Sequence, residues 1–240
     1  MKIFPVPEKG FFTAGIKIRH KILTLLFFLS VIVYLDRVCI SVTGKRIKAD
    51  LGLSNEQFGW VLGAFALSYA LFEIPTGMMG DKIGPRKVLT RVVLWWSFFT
   101  ALTGAANGLI SLLIIRFLFG AGEAGAYPNS SIVVSRWFPK YETGRAQAFI
   151  WAAGRIGGAL APLIVVPIAI AFGWRASFYV MGLIGVLWVG IWYLWFRDTP
   201  LQMSSVSAKE LEEIETNQQL RSKDHRIPWK VFSGMVIFFH

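Results

Sequence analysis

One cysteine, Cys39, stands among 240 residues. A lone thiol excludes an internal disulfide framework and a Cys-rich metal site. Histidine is almost as scarce. His20, His225 and His240 lie apart, at edges or in hydrophilic stretches, so no metal is expected. Charge is thin too: 16% of residues are Asp, Glu, Lys or Arg, while 55% are hydrophobic, with ten Trp and twenty Phe. A soluble domain of this length rarely carries so little charge. Acids are the scarcer sign, and the net charge is +11. That excess would suit a nucleic acid, but the cations fall mainly in short segments between apolar runs, which is a topology signal. No nucleic-acid partner is expected. Ser/His pairs, H-E-x-x-H and paired metal acids within an apolar run are all missing, which argues against an enzyme and against a cofactor.

What is present is a series of apolar runs of about 20 residues, each long enough to cross a bilayer core of roughly 30 Å. Six spans are expected, at about 22–43, 56–79, 88–107, 109–133, 145–170 and 175–196. The first has a basic lead (Lys17, Arg19, Lys21). No A-x-A-like cleavage site follows it, so it reads as an uncleaved span and not as a signal peptide. Eighteen Lys and Arg fall in the tail and in the segments after the second, fourth and sixth spans, against four (Lys45, Arg46, Lys48, Arg175) on the other side. The positive-inside bias then puts the N-terminus in the cytoplasm of a multi-pass protein of the cell (inner or plasma) membrane. The expected organisation is a cytoplasmic tail (1–21), a six-helix transmembrane unit (22–197), a cytoplasmic loop (198–228) and the start of a truncated seventh helix (229–240). Within the loop, Ser207 and Glu210 fit a capping box, and Leu211 and Ile214 give a thin apolar stripe. A short helix lying on the membrane surface or on the bundle is expected there.

Six ionisable residues fall inside these spans: Asp36, Glu73 and Glu123, and Arg37, Arg116 and Arg155. Each charge placed at a helix centre facing lipid costs roughly 2.5–3.5 kcal/mol on insertion scales, so the six must face a cavity or one another. Asp36 and Arg37 are sequence neighbours and point about 100° apart, so they do not neutralise each other. Ser30, Tyr34, Arg37 and Ser41 share one helix face, a polar stripe that reads as the lining of an aqueous cavity. Asp36 flanks it, aimed at another helix. In the fourth span Arg116, Gly120, Glu123 and Tyr127 share a face, and Pro128 removes a backbone hydrogen bond near Ala124, which bends the helix beside Glu123. In the fifth span Gln147, Trp151 and Arg155 align, and with Tyr34, Arg37, Ser41, Arg116 and Tyr127 they are the expected substrate-binding residues. Arg116 and Arg155 also fit a plain alternative, a buried ion pair that locks the bundle; Glu73, near Pro75, reads as structural or gate-related. Burial disfavours a carboxylate while an adjacent guanidinium favours it. An acid held between these influences is suited to taking and releasing a proton. Protonation of Asp36 or Glu123 would leave the cavity net positive and ready for an anion, which Arg binds in a bidentate fork.

Residues 77–91, GMMGDKIGPRKVLTR, carry the most specific pattern. Gly77, Asp81, Lys82, Gly84, Arg86 and Lys87 match G-x-x-x-D-[RK]-x-G-x-[RK]-[RK]. Gly84 permits a sharp reversal and Pro85 stiffens it. Asp81 sits at a helix end or pairs with an Arg across the bundle, a clasp that would stabilise one gate state.

This motif resembles the signature of the major facilitator superfamily between its second and third helices. Arg116, Gly120, Gly122 and Ala124 also resemble that superfamily's R-x-x-x-G-x-G-x-A. YLDRVCISV, RFLFGAGEAGAYPN, SRWFP followed by GRA, and FGWRASFYVMG are similar to its anion:cation symporter family, which includes bacterial sugar-acid transporters. The family's first helix reads N-Y-x-D-R-x-N; here Val33 and Cys39 replace the two Asn. The resemblance implies an all-α membrane protein, one six-helix half of a twelve-helix fold with a 3+3 inverted repeat, working by alternating access. It implies Asp36 and Glu123 as proton sites, Arg37 as ligand of a substrate carboxylate, and Tyr34 as a cavity residue. The expected partners are a small organic anion, the lipid bilayer and the missing C-terminal half, with protons as the coupling ion and no other cofactor. A same-fold antiporter of another small molecule and a non-transporting membrane partner subunit remain as alternatives. The 240 residues alone are not expected to transport.

Overall fold

From Ile18 to Thr43 the sequence is mostly apolar and free of Gly and Pro, and it opens the longest helix among the described residues. The computed structural model describes residues 17–215; the expected seventh helix (229–240), residues 1–16 of the tail and 216–228 of the loop lie outside them. The described elements are α1 (Ile18–Leu51), α2 (Asn55–Ile83), α3 (Pro85–Thr103), α4 (Leu109–Glu123), α5 (Ala126–Trp137), α6 (Lys140–Ala171) and α7 (Trp174–Trp195), followed by a 3-10 turn, Pro200–Gln202. Residues 208–215 are helical as well.

Helix ends follow the local chemistry. α1 closes on Gly52, whose φ of 66° is the left-handed geometry glycine adopts at helix C-termini. α2 opens with a reciprocal capping box between Ser54 and Gln57. It ends at Gly84, with φ of 94°, and Pro85 begins α3 with its φ already set for a helix.

Five stretches are long and apolar enough to cross a membrane: Ile18–Leu51, Asn55–Ile83, Leu109–Trp137, Lys140–Ala171 and Trp174–Trp195. α3 is not among them; Arg86, Lys87 and Arg91 occupy its first two turns. The expected fourth span is broken. α4 stops at Glu123, and α5 resumes at Ala126, the place where Pro128 withholds the amide that Ala124 would have used.

α1 also runs eight residues past the expected span end. Its extension explains the local exception to the charge bias. Arg46 donates to the Ala169 carbonyl of α6, Lys48 donates to Asn55 Oδ1 at 2.6 Å, and Asp50 pairs with Arg175 of α7.

Three pairings dominate the bundle: α1 with α6, α2 with α4, and α3 with α7. If α4 and α5 count as one broken span, exchanging spans 1–3 for spans 4–6 leaves this pattern unchanged. The core between them is aromatic and aliphatic, with Trp96, Trp137 and Trp192 fully buried. α1 and α6 approach so closely that a Cβ at Gly157 would lie 2.5 Å from the Val31 carbonyl oxygen. Gly154 and Gly157 of α6 are therefore required for its packing against α1, the helix that carries the polar stripe.

Candidate functional site

α1 and α4 bring two opposite charges together at mid-bundle. Arg37 Nε donates to Glu123 Oε2 at 2.9 Å. The Glu123 side chain is fully enclosed, whereas 23% of the Arg37 side chain is exposed. Arg37 is thus a bridge between the interior and an open face. Its guanidinium lies over the ring of Tyr69 at 4.5 Å, with Phe65 and Tyr34 at 5.4 and 5.6 Å, a cage of aromatic faces that favours a cation.

Behind this pair stand two more of the six charges, Asp36 and Arg116. Asp36 is buried and points at α3, beside Trp96 and Thr100. Both carboxylate oxygens, Trp96 Nε1 and Thr100 Oγ1 are enclosed and complete no hydrogen bond of normal geometry. Unpaired buried polar groups of this kind are costly and mark places where a structure does more than pack. Arg116 is also buried. It stacks over Phe119 at 4.1 Å and Phe65 at 5.2 Å, and among the described residues no carboxylate forms a salt bridge with it. Arg155 forms no salt bridge among the described residues either, so the alternative of a buried ion pair at Arg116 or Arg155 is not seen there. The ion pair that forms is Arg37 with Glu123, a partner that spacing within one helix could not reveal.

The open side of the site is built by α1, α5 and α6. Tyr127 shares a 2.8 Å hydrogen bond with Ser30 and stacks on Trp151, with centroids 4.6 Å apart and planes within 4°. Arg155 is exposed and lies 6.0 Å above the Tyr34 ring. Ser41 is exposed one turn beyond Arg37, and Gln147 is half-buried one turn before Trp151. The structure therefore gathers Tyr34, Arg37, Trp151 and Arg155 at one surface, with the buried Tyr127 stacked beneath Trp151. Asp36 and Arg116 lie inside, behind it, so Arg116 is not among the open-face residues expected to contact substrate; it is enclosed against Phe119 and Phe65. Glu73 is half-buried on α2 and forms no salt bridge among the described residues.

The loop motif lies elsewhere, at the α2–α3 junction. Asp81, Lys82 and Lys87 are exposed. Asp81 makes no ion pair among the described residues. The clasp is made by an acid that the sequence did not single out. Asp198, after α7, accepts the Arg86 amide at 2.8 Å and packs against Gly84, where a Cβ would sit 2.8 Å from its Oδ2. It caps α3 from more than a hundred residues away. Arg86 adds bonds to the Tyr193 carbonyl and stacks over that ring at 4.7 Å. Gly77 and Gly80 of α2 abut Pro128 and Asn129 of α5, so the motif touches the element that continues from the break at Glu123.

A second unforeseen cluster joins residues 208–215 to the bundle. Glu210 accepts the backbone amides of Ile18 and Arg19, both at 3.1 Å, capping the start of α1. Only half of the expected capping box forms: Glu210 N donates to Ser207 Oγ, while its carboxylate is taken by α1. Glu213 pairs with Lys17 at 2.7 Å and Arg19 at 2.9 Å, and Arg19 reaches Glu142 of α6 at 2.9 Å. Burial pushes the Glu213 carboxyl up, but the bonds from Lys17 and Arg19 outweigh it and hold the group below the usual carboxylate range.

Comparison with known proteins places this arrangement. The Major Facilitator Superfamily profile matches residues 26–240. A probable sulfoacetate transporter of Cupriavidus necator is 41% identical over 199 residues, covering 83% of this chain and 46% of that protein. A probable L-galactonate transporter of Escherichia coli K12 is 34% identical, covering 81% of this chain and 44% of that protein. A probable galactarate/D-glucarate transporter of the same organism is 33% identical, covering 89% and 49%. The chain spans about half the length of the curated relatives it matches. Among solved structures, a bacterial homologue of the human lysosomal transporter Spinster superposes with a TM-score of 0.69 at 26% identity, over 76% of this chain and 45% of that one. The xylose transporter XylE of Escherichia coli shares the fold, with a TM-score of 0.71 at 16% identity over 88% of this chain and 57% of that one. These relatives are transporters, not enzymes, and the resemblance carried by the motifs holds.

Proposed function

Because the chain belongs to the major facilitator superfamily, we propose that it forms the N-terminal half of a symporter that moves a small organic anion with protons by alternating access. The observation that carries this reading is the Arg37–Glu123 pair, enclosed on the glutamate side and open on the arginine side. While Glu123 is ionised, it occupies Arg37. Protonation of Glu123 removes the competing charge and leaves a guanidinium without its counter-ion, which is unfavourable in a low-dielectric interior. A carboxylate or sulfonate entering from the open face replaces it with two parallel hydrogen bonds. Proton and anion are then taken up together because each removes the other's electrostatic cost. Asp36 is the second proton site in this reading, and Arg116 supplies the fixed positive charge that Asp36 and Glu123 share.

Tyr34, Ser41, Tyr127, Gln147, Trp151 and Arg155 form the substrate wall in this half. The named relatives support sugar acids and short sulfonated or carboxylated anions as cargo. α3 serves as the third of six spans, the exchange-invariant packing reflects an inverted 3+3 repeat, and residues 208–215 are a cytoplasmic helix in a protein of the cell membrane with a cytoplasmic N-terminus. The α2–α3 junction, with Asp81, Lys82 and Lys87 exposed and Asp198 clasping Gly84 and Arg86, serves as the gate.

The experiment is uptake of labelled galactarate, galactonate and sulfoacetate by vesicles containing this chain together with its second half, at two external pH values. Glu123→Gln and Asp36→Asn are expected to abolish proton-driven accumulation while substrate exchange persists in part. Undiminished pH-dependent accumulation in both variants would refute the proposal.

A further inference from the structure

We propose that a groove along the outer face of α3 binds one anionic phospholipid, with its headgroup at Lys87 and Arg91 and an acyl chain against Leu94, Trp95 and Phe98. The groove has a volume of about 560 Å³ and is flanked by Tyr193 of α7.

Helical spacing explains why it exists. Lys87, Arg91, Leu94 and Phe98 follow one another at intervals of four, three and four, a single face of α3. Trp96 and Thr100 occupy the opposite face, turned inward to Asp36. Ser97 packs on Gly185 of α7. The groove therefore looks away from the ionisable cluster, out of the bundle. In a membrane protein an outward face of this composition meets lipid. Leu94 is 43% exposed, Trp95 42% and Phe98 61%.

Its polarity changes along its length in the way a single leaflet does. Lys87 to Phe98 spans eleven residues, roughly 16 Å at 1.5 Å per residue. That is about half of a hydrocarbon core near 30 Å. With the cations at the headgroup level, Phe98 reaches close to the midplane. Lys87 and Arg91 are exposed and form no salt bridge among the described residues, and no Asp or Glu lines the groove. Two unpaired cations over an acid-free apolar slot match a net-negative headgroup; a zwitterionic lipid would bring an ammonium against them. The walls are held in place beforehand. Trp95 Nε1 donates to the Leu118 carbonyl at 2.8 Å, and Tyr193 is fixed under Arg86.

Native mass spectrometry of the purified full chain, released from detergent in an equimolar mixture of phosphatidylglycerol and phosphatidylcholine, reads the preference directly. Juxtamembrane cations of this kind favour retention of phosphatidylglycerol by about tenfold or more. The Lys87→Gln/Arg91→Gln double variant is expected to lose that preference, and Lys45→Gln, at the other end of the bundle, to keep it. Glycerol phosphate at matched concentration is expected not to displace the lipid. Equal retention of the two lipids by the unaltered chain would overturn the proposal, as would displacement by glycerol phosphate alone or a photo-crosslinker at Phe98 that captures a polypeptide segment in place of lipid. These three readings use chains with intact cations, so they decide the matter even if the double variant does not fold.

Discussion

At Gly154 a Cβ would lie 2.7 Å from two ring carbons of Tyr34, closer than real side chains approach. Gly154→Val is therefore expected to displace Tyr34 and with it the ring over which both Arg37 and Arg155 sit. Overpacking of this kind costs about 1–3 kcal/mol, and thermal unfolding of the purified variant measures it. Tyr127→Phe is milder. It removes the hydrogen bond to buried Ser30, at about 1 kcal/mol, while the stack on Trp151 survives; loss of indole stacking in the fluorescence spectrum would contradict this. At this scale the sequence was partly legible. Spacing placed Ser30, Tyr34 and Arg37 on one face because helix periodicity does not depend on neighbours. It left Arg37's partner open, because which helix lies opposite is a tertiary matter. Asp198 was invisible for the same reason. Nothing about an isolated acid after α7 announces that it caps α3.

Among the elements, two junctions carry predictions. Asp198→Ala removes the acceptor for the Arg86 amide at the start of α3, where Gly84 has no side chain to cap with. The loss is expected to match that of a helix N-cap, about 1 kcal/mol, and to appear as faster amide exchange in the first turn of α3. The second junction is the docking of residues 208–215 on α1. Glu213 is held ionised by Lys17 and Arg19, with its folded-state titration below the ordinary range. Its contribution is therefore present at neutral pH and is lost as the pH falls through the acid range, below about 4.3 for an unperturbed Glu. The difference in unfolding temperature between the unaltered chain and Glu213→Gln is expected to shrink toward zero on acidification; a difference independent of pH would contradict the assignment. Among the element boundaries, the α2–α3 junction was readable, where Gly84 and Pro85 stand. The break at Glu123 was foreshadowed by Pro128. The eight extra residues of α1 were not, since Lys45, Arg46 and Lys48 resemble a loop until their partners on neighbouring elements are seen.

For the whole molecule, the pairings of α1 with α6, α2 with α4 and α3 with α7 present Tyr34, Trp151 and Arg155 on one open face. The chain spans about half the length of its curated relatives. In the proposed reading this face supplies one wall of the transport path, so vesicles containing these 240 residues alone are expected to show no substrate-driven proton flux, and co-expression with a second half is expected to restore it. The central claim is narrower than transport: an arriving anion takes Arg37 from Glu123, and Glu123 takes a proton. Infrared difference spectroscopy of the assembled transporter, recorded as substrate is added, observes that event itself. The proposal predicts a new carboxylic-acid carbonyl band on anion addition, absent in Glu123→Gln and retained in Asp36→Asn. A spectrum without that band, or one in which it survives Glu123→Gln, would contradict the account.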